Sequence, residues 1–360
     1  MSEADPAAAD AVAARVRLEV ERAIQRNIKG LEFLSAPRQP VGACEKDVLH
    51  RRGTLNLYHY RPLVDEVYRV PVLLVMAPSN KGYIFDLARG QSLVEFLLMR
   101  GYDVFMIDWA APRSDEKTLA LKDYVLDFLP DCIDRVLAAT GEPDVSLAGY
   151  CMGGTLSVLY ATLFPEGPLK NLVCFATPID FAQMTLFRAW SDKAHFDVDR
   201  LVDRVGNIPG DLILGAFDLM RPANRTAGVL HLWNNMWNDE FVKSYRMFDR
   251  WAAETLPLPG EFFRDITKQF MWANALYEDA LEIGGRPARL AAITAPVCNI
   301  IAQHDHVVPF EAAHPLTQKI SSSEVFETVV KGGHVSVVAG VAALKRLWPT
   351  IDTWLAGRST

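Results

Sequence analysis

Short, uniformly apolar runs alternate with amphipathic stretches through the middle of the chain. PVLLVM (71–76), DVFMI (103–107), 145–149 and LVCFA (172–176) have the length and composition of strands buried on both faces. The stretches between them, 87–100, 119–139 and 153–164, read as helices, and Gly101 ends the first. VCNIIA (297–302) and EVFETVV (324–330) resume the strand pattern, and 341–355 reads as a closing helix. Strands and helices alternating at this spacing predict an α/β fold with a mostly parallel sheet covered by helices on both faces. Upstream, 47–61 turns about Gly53 and predicts an antiparallel hairpin. Residues 7–33 predict an amphipathic helix, with Val12, Val16, Val20, Ile24 and Ile28 at every fourth position.

The pattern breaks between 178 and 289. Strand signals fade, helical ones dominate, and five of the eight tryptophans fall here: Trp190, Trp233, Trp237, Trp251 and Trp272. Three parts are expected: an N-terminal helical segment (1–40), an α/β core (41–177 and 290–360), and a helical cap inserted into it (178–289). Aromatics at helical spacing are mostly core, so none of the tryptophans is assigned to a ligand.

Composition narrows the class. Half of the 360 residues are hydrophobic and 22% are charged, enough to bury a real core. A formal charge of −7 gives no reason to expect nucleic-acid binding. The five cysteines (Cys44, Cys132, Cys151, Cys174, Cys298) are odd in number and lack CxxC spacing, so neither a disulfide framework nor a zinc site is expected. Cys174 and Cys298 lie in apolar runs and read as core thiols. The first residues are acidic without a continuous apolar stretch, unlike a secretory leader. No run approaches the roughly 18 apolar residues of a membrane span. A cytoplasmic protein is expected.

The strongest motif is Gly149-Tyr150-Cys151-Met152-Gly153, followed by Gly154, between an apolar strand and a helix. A nucleophile elbow requires that context. The nucleophile sits on a strained turn whose flanking positions have no room for side chains, hence the glycines. Helix N-terminal amides favour a thiolate there, and the Met152 N–H becomes an oxyanion-hole donor. A GxCxG string alone could be a glycine-rich turn; the strand before it and the helix after it select the elbow.

A thiolate attacking a thioester makes another thioester, a nearly isoenergetic exchange. The cysteine is also a good leaving group, which favours acyl transfer over simple hydrolysis. The fold places the acid and then the histidine after the nucleophile in the chain. His334, in Lys331-Gly332-Gly333-His334 after the last expected strand, is the candidate base; Asp305, after VCNIIA, is the candidate acid. Asp180, after LVCFA, is the rival acid. His304 and His306 flank Asp305, but no third ligand accompanies them, so no metal is expected. The second oxyanion donor is expected in the loop after PVLLVM, from Asn80 or a neighbouring backbone N–H.

With these residues in place, the chain resembles the catalytic subunit of polyhydroxyalkanoate (PHA) synthases of the short, two-component type (classes III and IV). The resemblance runs from about residue 47 to 355. It is carried by PVLLVMAPSNKGYIFDL, YDVFMIDWAAP, LAGYCMGGTLSVLYATLFP, VGNIPGDL, PGEFFRDITKQFMWANAL, HDHVVP and GGHVSVV. It implies an α/β-hydrolase fold and polymerisation of (R)-3-hydroxyacyl-CoA, with CoA released and a polyester growing on the cysteine. By motif, Cys151 is the acylated nucleophile and His334 its base. Asp305 orients the histidine and helps activate the incoming hydroxyl. No cofactor is implied, CoA being part of the substrate and a product. A second, smaller synthase subunit, a dimeric or hetero-oligomeric state and the surface of PHA granules are the implied partners. The loop SNKGYIFDL is closer to the long single-component type. The alternatives are a cysteine-nucleophile thioesterase or esterase, and a non-catalytic granule-associated protein.

Overall fold

The computed structural model describes residues 6–220 and 222–360; the start of the N-terminal segment expected at 1–40 lies outside them. Two compact units divide the chain: 1–40 with 218–250, and 41–217 with 251–360. The stretch expected as one cap, 178–289, is thus shared between the units.

The larger unit is built on one eight-stranded sheet among the described residues. Its strands are β1 (Lys46–Arg52), β2 (Leu55–Tyr60), β3 (Val72–Val75), β4 (Val104–Trp109), β5 (Val145–Tyr150), β6 (Leu169–Phe175), β7 (Val297–Ala302) and β8 (Val325–Val330). The order across the sheet is β1-β2-β4-β3-β5-β6-β7-β8. β1 and β2 form the expected hairpin around Gly53, β2 runs antiparallel to β4, and every other pairing is parallel. Burial explains the apolar runs. Every residue of β3, β5 and β7 is buried, as a strand covered on both faces demands.

The helix expected at 87–100 forms only as Leu93–Met99. The reason is local. Gly90 takes a left-handed conformation, and Ser92 caps the helix by accepting from the Glu95 N–H at 2.9 Å while donating to Asp86. The helical stretches expected at 119–139 and 341–355 are present, each with one π-helical turn, Tyr124–Phe128 and Ala343–Leu347.

The smaller unit contains helices Pro6–Ser35 and Pro222–Asn234 and most of Asp239–Ala253. The N-terminal helix meets its neighbours with its charged side. Arg22 lies 4.5 Å over the Trp237 ring, Lys29 pairs with Asp239, and Arg246 sits over Phe33 and donates to the carbonyls of Ala36 and Pro37. Its apolar stripe points the other way: Val16, Val20, Ile24 and Ile28 are 49–57% exposed.

The glycines of the elbow show how tightly the larger unit packs around the β5 turn. A Cβ on Gly153 would lie 2.2 Å from the Val75 carbonyl oxygen, and one on Gly154 would lie 1.9 Å from the Thr177 hydroxyl. The Val75 oxygen is main chain in the sheet and has nowhere to go. Gly153→Ala is therefore expected to destabilise the fold by about 2 kcal/mol or more. Gly357→Ala, where a Cβ meets nothing at an ordinary helical φ of −66°, is expected to be neutral or slightly stabilising. Urea unfolding midpoints of the two variants check this; equal midpoints would contradict the packing account.

Candidate active site

β5 ends at Tyr150 and helix Met152–Leu163 begins one residue after it, so the whole reversal falls on Cys151. Its backbone takes φ 53° and ψ −123°, a conformation that L-residues with a side chain rarely adopt. The Cys151 N–H donates to the Phe175 carbonyl at 2.9 Å, and its own carbonyl accepts from Thr155 at 3.1 Å. The turn is thereby pinned to β6 on one side and to the helix on the other. Cys151 keeps partial exposure, unlike the buried Cys132, Cys174 and Cys298.

The loops after β7 and β8 continue the ladder of those strands. Gln303 donates to the Val330 carbonyl at 2.8 Å, and His304 to that of Gly332 at 2.9 Å. This stitching brings Asp305 beside His334. One Asp305 oxygen accepts from the Val307 and Val308 N–H groups, both at 2.8 Å. The other accepts from His334 Nδ1 at 2.7 Å. The Asp305 side chain is wholly buried and that of His334 is 14% exposed. With Nδ1 committed to the carboxylate, Nε2 is the nitrogen left to face Cys151, which lies within electrostatic reach of the imidazole. Burial disfavours the charged imidazolium. The charges of Asp305 and Cys151, together with the hydrogen bond to Asp305, override it and push the His334 pKa up to about 10.

The rival acid is occupied elsewhere. Asp180 accepts from the Ala182 N–H, the Gln183 carboxamide and the Asn274 carboxamide, all at 2.8–3.0 Å. It fastens the chain after β6 to residue 274.

The expected oxyanion donors lie on two neighbouring segments. Met152 is the first residue of the elbow helix, where N–H groups have no partner within the helix. The close approach of Gly153 to Val75 and Met76 sets this helix start against the end of β3, from which the loop with Asn80 issues. The Asn80 main-chain N–H is not the free donor: it donates to the Ala77 carbonyl at 3.1 Å, closing a turn. Its side-chain oxygen accepts from the Ser79 hydroxyl at 3.0 Å, which leaves the side-chain NH2 as the donor this residue can offer. The loop is braced by residues that sequence reasoning missed. The Gly82 N–H donates to Asp108 at 2.7 Å, Trp251 to the Lys81 carbonyl at 2.8 Å, and the Leu256 N–H to the Ser79 carbonyl at 2.7 Å. Burial pushes the Asp108 carboxyl up, and the Gly82 N–H opposes it. Its place at the end of an apolar strand was the one available signal.

Comparison with known proteins agrees with this fold and gives the family. Residues 82–340 match the family described as alpha/beta hydrolase fold, and residues 38–97 match that described as the poly-beta-hydroxybutyrate polymerase (PhaC) N-terminus. The "Poly(3-hydroxyalkanoate) polymerase subunit PhaC" of Allochromatium vinosum is 33% identical over 335 residues, 92% of this chain and 94% of that protein. The protein of the same name from Haloferax mediterranei is 32% identical over 89% of this chain, which spans only 65% of its length. Among solved structures, a monoacylglycerol lipase of Paleococcus ferrophilus superposes with a TM-score of 0.54 at 16% identity, covering 82% of this chain and 96% of the lipase. A putative lipase of Sulfolobus solfataricus gives 0.55 at 14% identity, covering 87% and 99%. These two likenesses concern the fold alone.

The raised His334 pKa has a consequence for stability. The folded state holds a proton that the unfolded chain releases near 6.5. The stabilisation is therefore complete below that pH, declines above it, and is gone once pH passes about 10. Urea unfolding of the natural protein and of His334→Gln at pH 6 and pH 10 measures it. The stability gap between the two is expected to shrink by a few kcal/mol, that is ~2–4, at the higher pH. A gap independent of pH would count against the charged imidazole.

Proposed function

The chain belongs to the poly(3-hydroxyalkanoate) polymerase family, and we propose that it builds a hydroxyalkanoate polyester on Cys151 from (R)-3-hydroxyacyl-CoA. The observation that carries this reading is the histidine bonded through Nδ1 to a buried carboxylate and set within electrostatic reach of a cysteine on a strained strand-to-helix turn. Such an arrangement activates a thiol for attack on a carbonyl.

The chemistry proceeds by exchange. The Cys151 sulfur, its proton on His334, attacks the thioester carbonyl. The bond to the CoA sulfur breaks, CoA leaves with the imidazolium proton, and the acyl group remains on Cys151. The 3-hydroxyl of a second hydroxyacyl-CoA then attacks that acyl carbonyl, gives its proton to His334 and frees the cysteine sulfur as an ester bond forms. The lengthened chain returns from CoA to Cys151 by another thioester exchange. Asp305 holds the imidazole in the tautomer that each step needs. The Met152 N–H and the Asn80 side-chain amide are the donors for the developing oxyanion.

A second, smaller synthase subunit and a granule surface are the partners this reading brings with it, in a dimeric or hetero-oligomeric assembly. Among the described residues no helix is long and apolar enough to cross a membrane.

The test is to incubate the full chain with (R)-3-hydroxybutyryl-CoA, with and without a candidate small subunit, and follow both free CoA and product length. CoA with polymer is expected. CoA with only free acid would make the protein a thioesterase, and neither product would make it a non-catalytic relative. Cys151→Ala is expected to lower CoA release by about 1,000-fold or more while the protein stays folded. Undiminished turnover in that variant would remove Cys151 as nucleophile.

A further inference from the structure

Tyr150, the residue just before the elbow cysteine, has no part in the steps above, yet it contacts the histidine directly. Its ring centroid lies 5.0 Å from that of His334, with the planes 34° apart. Its hydroxyl donates to the His334 main-chain carbonyl at 3.3 Å. Phe85 also packs against it, edge-on at 6.1 Å. Tyr150 is 1% exposed and Phe85 is fully buried, so neither ring has room to swing away.

We propose that Tyr150 is a positioning residue for His334, fixing the plane and height of the imidazole so that Nε2 is presented to the Cys151 sulfur. Consecutive strand residues point to opposite faces of a sheet, so Tyr150 and Cys151 would normally face apart. The left-handed turn at Cys151 re-aims the sulfur, so that the tyrosine packs on the imidazole while the cysteine comes within its electrostatic reach. Sulfur and tyrosine are adjacent in the chain. The histidine is thus registered against the elbow itself, as well as against the aspartate on the neighbouring loop.

Asp305 fixes Nδ1 but leaves the ring free to pivot about that bond; a ring packed against the imidazole and a hydroxyl on its main chain resist that rotation. Burial keeps the phenol neutral, with the charges of Cys151 and Asp305 adding to the effect, so it remains a donor. At 3.3 Å the hydroxyl bond is long for an O–H donor. Its loss should cost the fold little, which makes positioning separable from folding.

This inference rests on the reading of Cys151 and His334 as a reactive pair, and one experiment tests the two separately. The rate of Cys151 alkylation by iodoacetamide is followed against pH in the full-length natural protein, Tyr150→Phe, Phe85→Leu, His334→Gln and the Tyr150→Phe, His334→Gln double variant. Cys151→Ala supplies the background. That background is low, because three of the other thiols are buried and the Cys44 thiol is pushed up to about 12 by burial and the adjacent Asp86.

His334→Gln should abolish the fast alkylation at neutral pH; if it does not, the reactive pair itself is wrong. Tyr150→Phe should move the midpoint of the profile upward by at least about half a pH unit. It should also lower kcat about tenfold with KM unchanged. It should have no further effect in the His334→Gln background. Phe85→Leu, which removes the brace and keeps the hydroxyl, should shift the profile the same way by less, and it carries the test should Tyr150→Phe fail to fold. Profiles of Tyr150→Phe and Phe85→Leu that superimpose on the natural protein's, with His334→Gln behaving as expected, overturn the role of Tyr150 and leave the pair standing.

Discussion

A single residue, Cys151, carries the reversal between β5 and the elbow helix, and its left-handed backbone costs on the order of 1–3 kcal/mol. The surroundings over-determine it. A Cβ on Gly149 would lie 2.5 Å from the Gly154 Cα, so the strand can approach the start of the helix only because position 149 is bare. The Cys151 N–H, which the reversal would otherwise strand, is taken by the Phe175 carbonyl. The reach of the sulfur to His334, the proximity of Met152 to the loop after β3, and the meeting of Tyr150 with the imidazole all follow from that turn. A relaxed backbone at 151 would undo them together.

Much of this is legible in the sequence because it is steric and local. Gly149, Gly153 and Gly154 are spaced by the width of a turn, and the apolar runs of β3, β5, β6 and β7 are the length of strands covered on both faces. The positions of Asp305 and His334 are legible too, since each follows a strand end. Legibility fails where a polar side chain competes with the backbone. Ser92 starts a helix that periodicity alone would begin at 87, because its hydroxyl takes the Glu95 N–H. At Asn80 a turn consumes the main-chain N–H, a contest between Ala77 and a substrate that composition does not register. Tyr150 and Asp108 read as ordinary strand-end residues. Their partners lie 184 and 26 positions away, so only the folded topology reveals what they hold.

The N-terminal helix shows a different limit. Its four-residue apolar period predicts helix, and helix forms over Pro6–Ser35. Periodicity is silent about which face is used. Here guanidinium-on-ring stacking and ion pairing hold Arg22, Lys29 and Phe33 to their neighbours, and the valines and isoleucines face outward. A cation over an aromatic ring is worth roughly 0.5–1 kcal/mol at such partly exposed sites. Several such contacts can therefore hold a helix without burying its apolar stripe. The same contacts tie 218–250 to the N-terminal segment, which is why one compositionally uniform stretch divides between two units.

Asp305 and Asp180 stand at the ends of adjacent strands, and either could in principle orient a histidine. What separates them is how their oxygens are used. A buried carboxylate is tolerable only when its lone pairs are met. Asp305 satisfies one oxygen with two main-chain N–H groups of its own turn and keeps the other for the imidazole. The fixed oxygen aims the free one, so the charge lies along the His334 Nδ1–H bond and outweighs the burial of the ring. Asp180 gives one oxygen to Ala182 and Asn274 and the other to Gln183, all local or structural donors, and has none in hand. The difference is built two and three residues after Asp305, where Val307 and Val308 present paired amides to a single oxygen. A carboxylate held this way points in one direction, and a histidine facing it acquires both a tautomer and an orientation.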